Sequence, residues 1–299
     1  MSGLATALAG ISGILVTPFD GDDRIAPERL MPVIHRAVVA GVHLLVANGN
    51  TSEFYGLTLA EAEAMVDAIV GQVAGRRPVI GGVGRSIGDA CALARASAAA
   101  GVSALMVHQP PDPFVSPRGV VEYVKRVAGA GQGLPVVLYL RNDGIGMDAI
   151  AALCAVPEVV GVKWASPTPL RLAEAMRQAD PRIVWVGGLA ETWAPPLYAV
   201  GARGFTSGLI NVWPAHSVAI HAALAAGDYA GAMALIASMA EFEALRAEEG
   251  NGANVSVVKA ALALLGNECG HARPPAAWPL TAGQSERLAL LLAEWGIAR

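Results

Sequence analysis

Strand-length apolar runs and helical runs alternate along this chain, and that alternation limits its possible folds more than any other feature. The apolar runs fall at 11–19, 43–47, 78–82, 104–108, 135–140, 159–164, 183–186 and 204–207. Runs with helical spacing separate them, at 27–40, 58–73, 91–100, 117–128, 147–155, 170–179 and 192–200. Pro27 opens one of these and Gly41 closes it, and Thr58 with Glu61 has the spacing of a capping box. One pattern repeats. Ala40-Gly41-Val42-His43-Leu44-Leu45-Val46 is matched sixty residues later by Ala100-Gly101-Val102-Ser103-Ala104-Leu105-Met106, and more loosely by Val200-Gly201-Ala202-Arg203-Gly204-Phe205. A helix that ends at glycine and feeds at once into a buried strand is the return half of a βαβ unit. The repeat distance holds two such units of about 30 residues each. Eight strand runs alternating with helical runs within roughly 210 residues lead us to expect an α/β fold, the (β/α)8 TIM barrel. The alternative, a doubly wound open sheet, lacks a GxGxxG after its first strand. From Trp213 onward the chain is rich in Ala and Leu and has no strand run. We expect a barrel over 1–212 and extra C-terminal helices over 213–299, packed on it as one structural unit.

At 299 residues the chain can bury a large core, and its length is ordinary for such a barrel. With 54% hydrophobic residues, 15% charged residues and a net charge of −4, it has the composition of a folded globular protein. It has no basic run, so neither nucleic acid nor an anionic membrane is an expected partner. Cys91, Cys154 and Cys269 are odd in number and far apart, and form neither a disulfide framework nor a CxxC metal site. They read as small core residues in a reducing compartment. The apolar stretch 4–19 lacks the basic start of a signal peptide and runs into a turn at Asp20-Gly21. No stretch reaches the roughly 18 apolar residues of a membrane span. A cytoplasmic location is expected.

The run Val159-Val160-Gly161-Val162-Lys163-Trp164 puts a lysine where a buried strand calls for another apolar residue. Only three lysines occur, Lys125, Lys163 and Lys259, and arginine carries the rest of the positive charge. An apolar pocket strips water from an ammonium group, lowers its pKa and leaves the free amine that attacks carbonyls to form Schiff bases. The other reading is a strand-end lysine whose head reaches solvent. Active sites of (β/α)8 barrels lie at the carboxyl ends of the strands, which groups Thr17, 48–53, 82–85, His108, Tyr139, Arg141, Lys163, Gly187-Gly188 and Ser207. Asn50-Thr51-Ser52 either offers N–H groups and hydroxyls to a carboxylate or is an ordinary polar loop with local caps. Tyr139 is either a phenol that moves protons beside Lys163 or an aromatic filling the barrel. Glu53 reads as a carboxylate stabilised by a helix start, and Lys259 as an ordinary helix residue. His108 has no partner at metal-ligand spacing, and no metal site is expected.

Together these residues resemble the dihydrodipicolinate synthase / N-acetylneuraminate lyase family of Schiff-base-forming enzymes over nearly the whole chain. Ile14-Leu15-Val16-Thr17-Pro18-Phe19 is similar to its opening strand, and Gly49-Asn50-Thr51-Ser52-Glu53 to its G-T-T-G-E carboxylate loop. Gly161-Val162-Lys163 resembles its G-[IV]-K, and Tyr139 falls on its strand-five tyrosine. The run 201–207 resembles its G-A-x-G-x-x-S. The resemblance implies that Lys163, Tyr139 and Thr51 are catalytic and that Asn50, Ser52, Arg141, Gly188, Glu191 and Ser207 bind substrate. It also implies a reaction without metal or organic cofactor, and a homo-oligomer, dimer or tetramer.

Departures from the family pattern bear on the substrate. The synthases carry a tyrosine in the loop after strand four, which here reads Pro110-Pro111-Asp112-Pro113-Phe114. They carry an arginine five residues after the strand-five tyrosine, where Gly144 stands, and a threonine where Asn50 stands. Thr51-Ser52-Glu53-Phe54-Tyr55-Gly56-Leu57 and Tyr139-Leu140-Arg141-Asn142 instead resemble the T-G-E-F-F-x-L and Y-N-R-D of 5-dehydro-4-deoxyglucarate dehydratases. Gly188-Leu189-Ala190-Glu191 is similar to a sugar-hydroxyl-binding stretch of sialate-type lyases, with Ala for their Asp. The expected activity is a lyase of a 2-oxo deoxy sugar acid, with dehydration ahead of aldol cleavage. The alternatives are a 2-oxo-acid aldolase, a true dihydrodipicolinate synthase, and a non-catalytic 2-oxo-acid-binding barrel.

Overall fold

The repeated Ala-Gly-Val segments each turn a helix into a strand. Gly41 and Gly101 sit at φ 95° and 86°, left-handed values that a Cβ would strain, and their N–H groups close the last turns of the helices before them. A computed structural model describes residues 3–275 and 277–297. Eight parallel strands pair in sequence order: β1 (Ile11–Ile14), β2 (Leu44–Ala47), β3 (Val79–Val83), β4 (Ala104–His108), β5 (Val136–Leu140), β6 (Val159–Trp164), β7 (Val184–Gly187) and β8 (Gly204–Ser207). β8 pairs with β1 and closes the ring, giving the (β/α)8 barrel that the alternation implies.

A ring of helices follows the strands: α2 (Met31–Ala40), α3 (Leu59–Val73), α4 (Ile87–Ala100), α5 (Pro117–Ala130), α6 (Met147–Cys154), α7 (Pro169–Gln178), α8 (Ala194–Ala199) and α9 (Pro214–Ala225). α9 packs on α2, β1 and β8, the place of the eighth ring helix. Three more helices, α10 (Tyr229–Ala247), α11 (Asn254–Leu264) and α12 (Ala282–Glu294), pack on one another, with α10 also against α8 and α9. Among the described residues no helix is long and apolar enough to cross a membrane.

Several boundaries differ from the sequence expectation, each for a local reason. β1 ends at Ile14 instead of Phe19: Val16 N–H is taken by the Asn211 side chain, Phe19 N–H by Cys269 O, and Pro18 has no N–H to pair. The run 27–40 splits into a 3-10 turn, Pro27–Leu30, and α2, whose first turn contains Pro32. α4 starts a turn earlier than expected because the Ser86 hydroxyl caps it by accepting from Asp89 N–H. At α3 the Thr58–Glu61 capping box is present as expected. A further short helix, α1 (Gly3–Leu8), packs against β6 and β7 and carries Leu8 into the interior of the barrel.

Strand side chains alternate between the two faces of the barrel wall. Leu44, Val46, Ala104, Met106, Val137 and Val186 fill the interior, while Leu45, Leu105, Leu138 and Val162 face the helices. The same parity points His108, Tyr139 and Lys163 inward. Register then aligns them, because His108 pairs with Tyr139 and Tyr139 pairs with Lys163.

Candidate active site

The aligned row lies at the carboxyl ends of β4, β5 and β6, where barrel side chains give way to an open cavity of about 430 Å³. Lys163, Tyr139, Arg141, Asn50, Thr51 and Gly188 line it. Lys163 is 4% exposed, so its head does not reach bulk solvent, and Nζ lies 3.8 Å from the centroid of the Tyr139 ring. Burial, with the nearby Arg141 charge, lowers the Lys163 pKa to about 7. A large share of Lys163 is therefore free amine at neutral pH. Burial raises Tyr139 to about 12, which keeps it a neutral phenol able to donate a proton.

Arg141 turns into the cavity. Its guanidinium stacks over the Tyr55 ring at 5.2 Å, and Nη2 donates to the Tyr55 hydroxyl at 3.3 Å. Gln109 fixes the backbone beneath it, its Oε1 accepting from Arg141 N–H at 2.7 Å and Asn142 N–H at 2.8 Å. His108 is fully enclosed, stacked on Phe54 and edge-on to Tyr139. Burial, then the Lys163 charge, lowers its pKa to about 3, so the ring is neutral. Nε2–H donates to Asn48 O at 2.9 Å, which leaves Nδ1 to accept from the Tyr55 hydroxyl at 3.4 Å. With both nitrogens engaged, His108 holds the wall of the site. Among the described residues no group of His, Cys, Asp and Glu is arranged to hold a metal ion.

Three residues proposed from sequence as substrate contacts sit behind the cavity wall. Ser52 Oγ donates to Leu15 O at 2.5 Å and accepts from Gly49 N–H at 3.0 Å, and Ser52 O accepts from Thr17 Oγ1. Ser207 Oγ donates to Glu191 Oε1 at 2.5 Å, as does Ser217 Oγ at 2.6 Å. Glu191 is completely buried. Burial and the neighbouring Glu243 carboxylate raise its pKa to about 7. These contacts shape the loop ends from which Asn50, Thr51 and Gly188 line the cavity.

The last helices contribute to the cavity in a way that their sequence does not signal. α10 sends Glu243 and Arg246 to the cavity, and Asn254 at the start of α11 joins them. Lys259 is not the ordinary helix residue its spacing suggests. It is 2% exposed and pairs with Glu53 at 2.6 Å, while Nζ donates to His271 O and lies over the Phe19 ring. Glu53 is likewise held by this ion pair, and by Arg273 N–H at 2.7 Å, not by a helix start: it stands at φ 57° before a 3-10 turn and makes no cap. The pair ties α11 to the loop carrying Asn50 and Thr51. No periodicity flags it; the only hint was that lysine is so scarce in this chain.

Residues 7–294 match the model of the dihydrodipicolinate synthetase family. Over 272 residues the chain is 31% identical to a probable 5-dehydro-4-deoxyglucarate dehydratase of Rhizobium rhizogenes, with 89% of each chain covered. Over 275 residues it is 33% identical to a 4-hydroxy-tetrahydrodipicolinate synthase of Sorangium cellulosum, with 90% of each covered. Its fold matches the crystal structure of dihydrodipicolinate synthase from Bacillus clausii with a TM-score of 0.93 at 35% identity, covering 98% of this chain and 99% of that one. By sequence and by fold, this lyase belongs to the dihydrodipicolinate synthetase family.

Proposed function

We propose that this lyase dehydrates a 3-deoxy-2-oxo sugar acid through an imine on Lys163. One observation carries the reading: a buried amine with its pKa lowered to about 7 lies against the neutral phenol Tyr139 at the floor of an open cavity. Lys163 Nζ attacks C2 of the substrate, the carbinolamine loses water, and the protonated imine becomes an electron sink. Loss of a C3 proton gives the enamine, whose electron pair expels the C4 hydroxyl as water once that oxygen is protonated. Hydrolysis of the conjugated imine frees the product and Lys163. Tyr139 and Thr51 carry protons between these steps, and the Asn50–Thr51 loop holds the carboxylate beside the carbonyl. The route draws on no metal or organic cofactor.

Dehydration is favoured over condensation because Gly144 and the Pro110-to-Phe114 loop lack the groups a synthase uses for its second substrate. Arg141, which faces the cavity, suits an acid with a second, distal carboxylate. The Rhizobium relative is named for such a dehydratase. Synthase chemistry is the second reading, favoured by the Sorangium relative's name. We further infer an oligomer, because Met233, Leu264, Trp278 and Leu290 of the C-terminal part are exposed in one chain. A stable monomer in sedimentation at micromolar concentration refutes that part.

Incubation with pyruvate and borohydride should add one lactyl-sized mass per chain, on the peptide holding Lys163. Label elsewhere, or none with any 2-oxo acid, removes the imine. Turnover should then appear as water loss from 3-deoxy-2-oxo sugar acids. A comparable rate of pyruvate condensation with aspartate semialdehyde assigns the synthase reaction instead.

A further inference from the structure

We propose that Arg246, brought into the cavity by α10, binds the carboxylate next to the substrate's carbonyl carbon jointly with Thr51. The proposal rests on the imine reading above and adds to it a residue from outside the barrel.

The Arg246 side chain is 7% exposed and lines the same cavity as Lys163. A guanidinium has five N–H groups. In Arg246, Nε and Nη2 each donate to Asn254 Oδ1, at 3.1 and 2.7 Å, and Nη1 donates to Glu243. One N–H on Nη1 and one on Nη2 remain for a ligand.

Gly208 shows where Nη2 points. A Cβ at residue 208 would lie 2.6 Å from Arg246 Nη2 and 3.3 Å from Thr51 Oγ1. Gly208 has φ −91°, which any residue adopts, so close approach and not backbone conformation is what excludes a side chain there. The guanidinium and the Thr51 hydroxyl thus converge on one small space at the end of β8. Asn50 lacks the hydroxyl that a threonine at its position would bring to the same loop. A nearly buried cation with spare donors makes up for that loss. Charge-assisted bonds of this kind are the strong ones.

Arg246 and Arg141 also stand on different sides of the mouth. Gly208 and Thr51 follow β8 and β2, which flank β1, whereas Arg141 follows β5, across the ring from β1. With Lys163 on β6 between them, the two arginines match the two ends of an extended dicarboxylate.

The test compares pyruvate with its neutral methyl ester, reading affinity by calorimetry and imine formation by borohydride label. Arg246→Gln should weaken pyruvate about tenfold to a hundredfold, as loss of a charge-assisted bond does, while methyl pyruvate stays within about twofold. Arg246→Lys should recover part of the loss, and Glu243→Gln, which frees the guanidinium, should tighten pyruvate. The paired variant R246Q/E243Q, which leaves no unpaired buried charge, covers the case in which R246Q fails to fold, and should show the same carboxylate-specific loss. Equal weakening of acid and ester, or of neither, overturns the proposal. Absence of label with carboxylate-specific binding retained refutes the imine reading alone, and label with Arg246-independent affinity refutes this proposal alone.

Discussion

Lys259→Met tests how strongly the C-terminal helices hold the active-site loop. Methionine fills most of the space of the lysine stem, so the change removes a charge more than it opens a cavity. What remains is Glu53, 1% exposed at its side chain, with Arg273 N–H at 2.7 Å its one other partner among the described residues. Breaking a buried pair from one side costs about 3–5 kcal/mol, because the surviving charge is left without its partner in a low-dielectric site. A domain of this size loses roughly 2 °C of Tm per kcal/mol, so thermal unfolding should shift down by about 6–10 °C. Glu53 follows Asn50 and Thr51 by two to three residues, so the same variant should raise KM for a 2-oxo acid more than it lowers kcat. The double variant K259M/E53Q removes both charges and should regain at least half the lost Tm. A single variant within about 2 °C of the parent, or a double variant no better than the single, refutes the reasoning.

Lys163 should also govern the pH dependence. Only the free amine attacks, so kcat/KM should fall about tenfold per pH unit below about 7, and an acid limb near the ordinary lysine value of 10.5 contradicts the burial argument. Because its pKa is lower folded than unfolded, Lys163 destabilises the fold increasingly as pH drops from 10.5 toward 7; Lys163→Met should raise Tm, and more at pH 6 than at pH 10. Tyr139→Phe should keep the borohydride label on Lys163 but lower kcat by about a hundredfold or more, and an unchanged kcat makes Tyr139 a mere filler. Arg141→Ala should weaken dicarboxylate sugar acids more than pyruvate in competitive trapping; equal loss for both removes Arg141 from distal recognition.

Local chemistry determined much of this protein from the sequence alone. Alternating apolar and helical runs, Gly41 and Gly101 at helix ends, and the Thr58–Glu61 box depend on residues within a few positions of each other, and each stands where its pattern implies. Once the barrel is inferred, two-residue alternation sends Tyr139 inward with Val137, but Lys163 joins it only because the register of β6 shifts by one residue after Val159, which itself faces the helices. Long-range geometry decided the rest. Glu53 and Lys259 lie 206 positions apart, and nothing in the helical spacing of 255–265 tells that one of its side chains meets a loop after β2. Arg246 looks like any arginine late in a helix until α10 is laid against the end of β8, where Gly208 leaves room for it. Periodicity records which face of an element is apolar; the angle at which that element docks is set by the packing of the whole ring, and so is the choice of which buried charges meet.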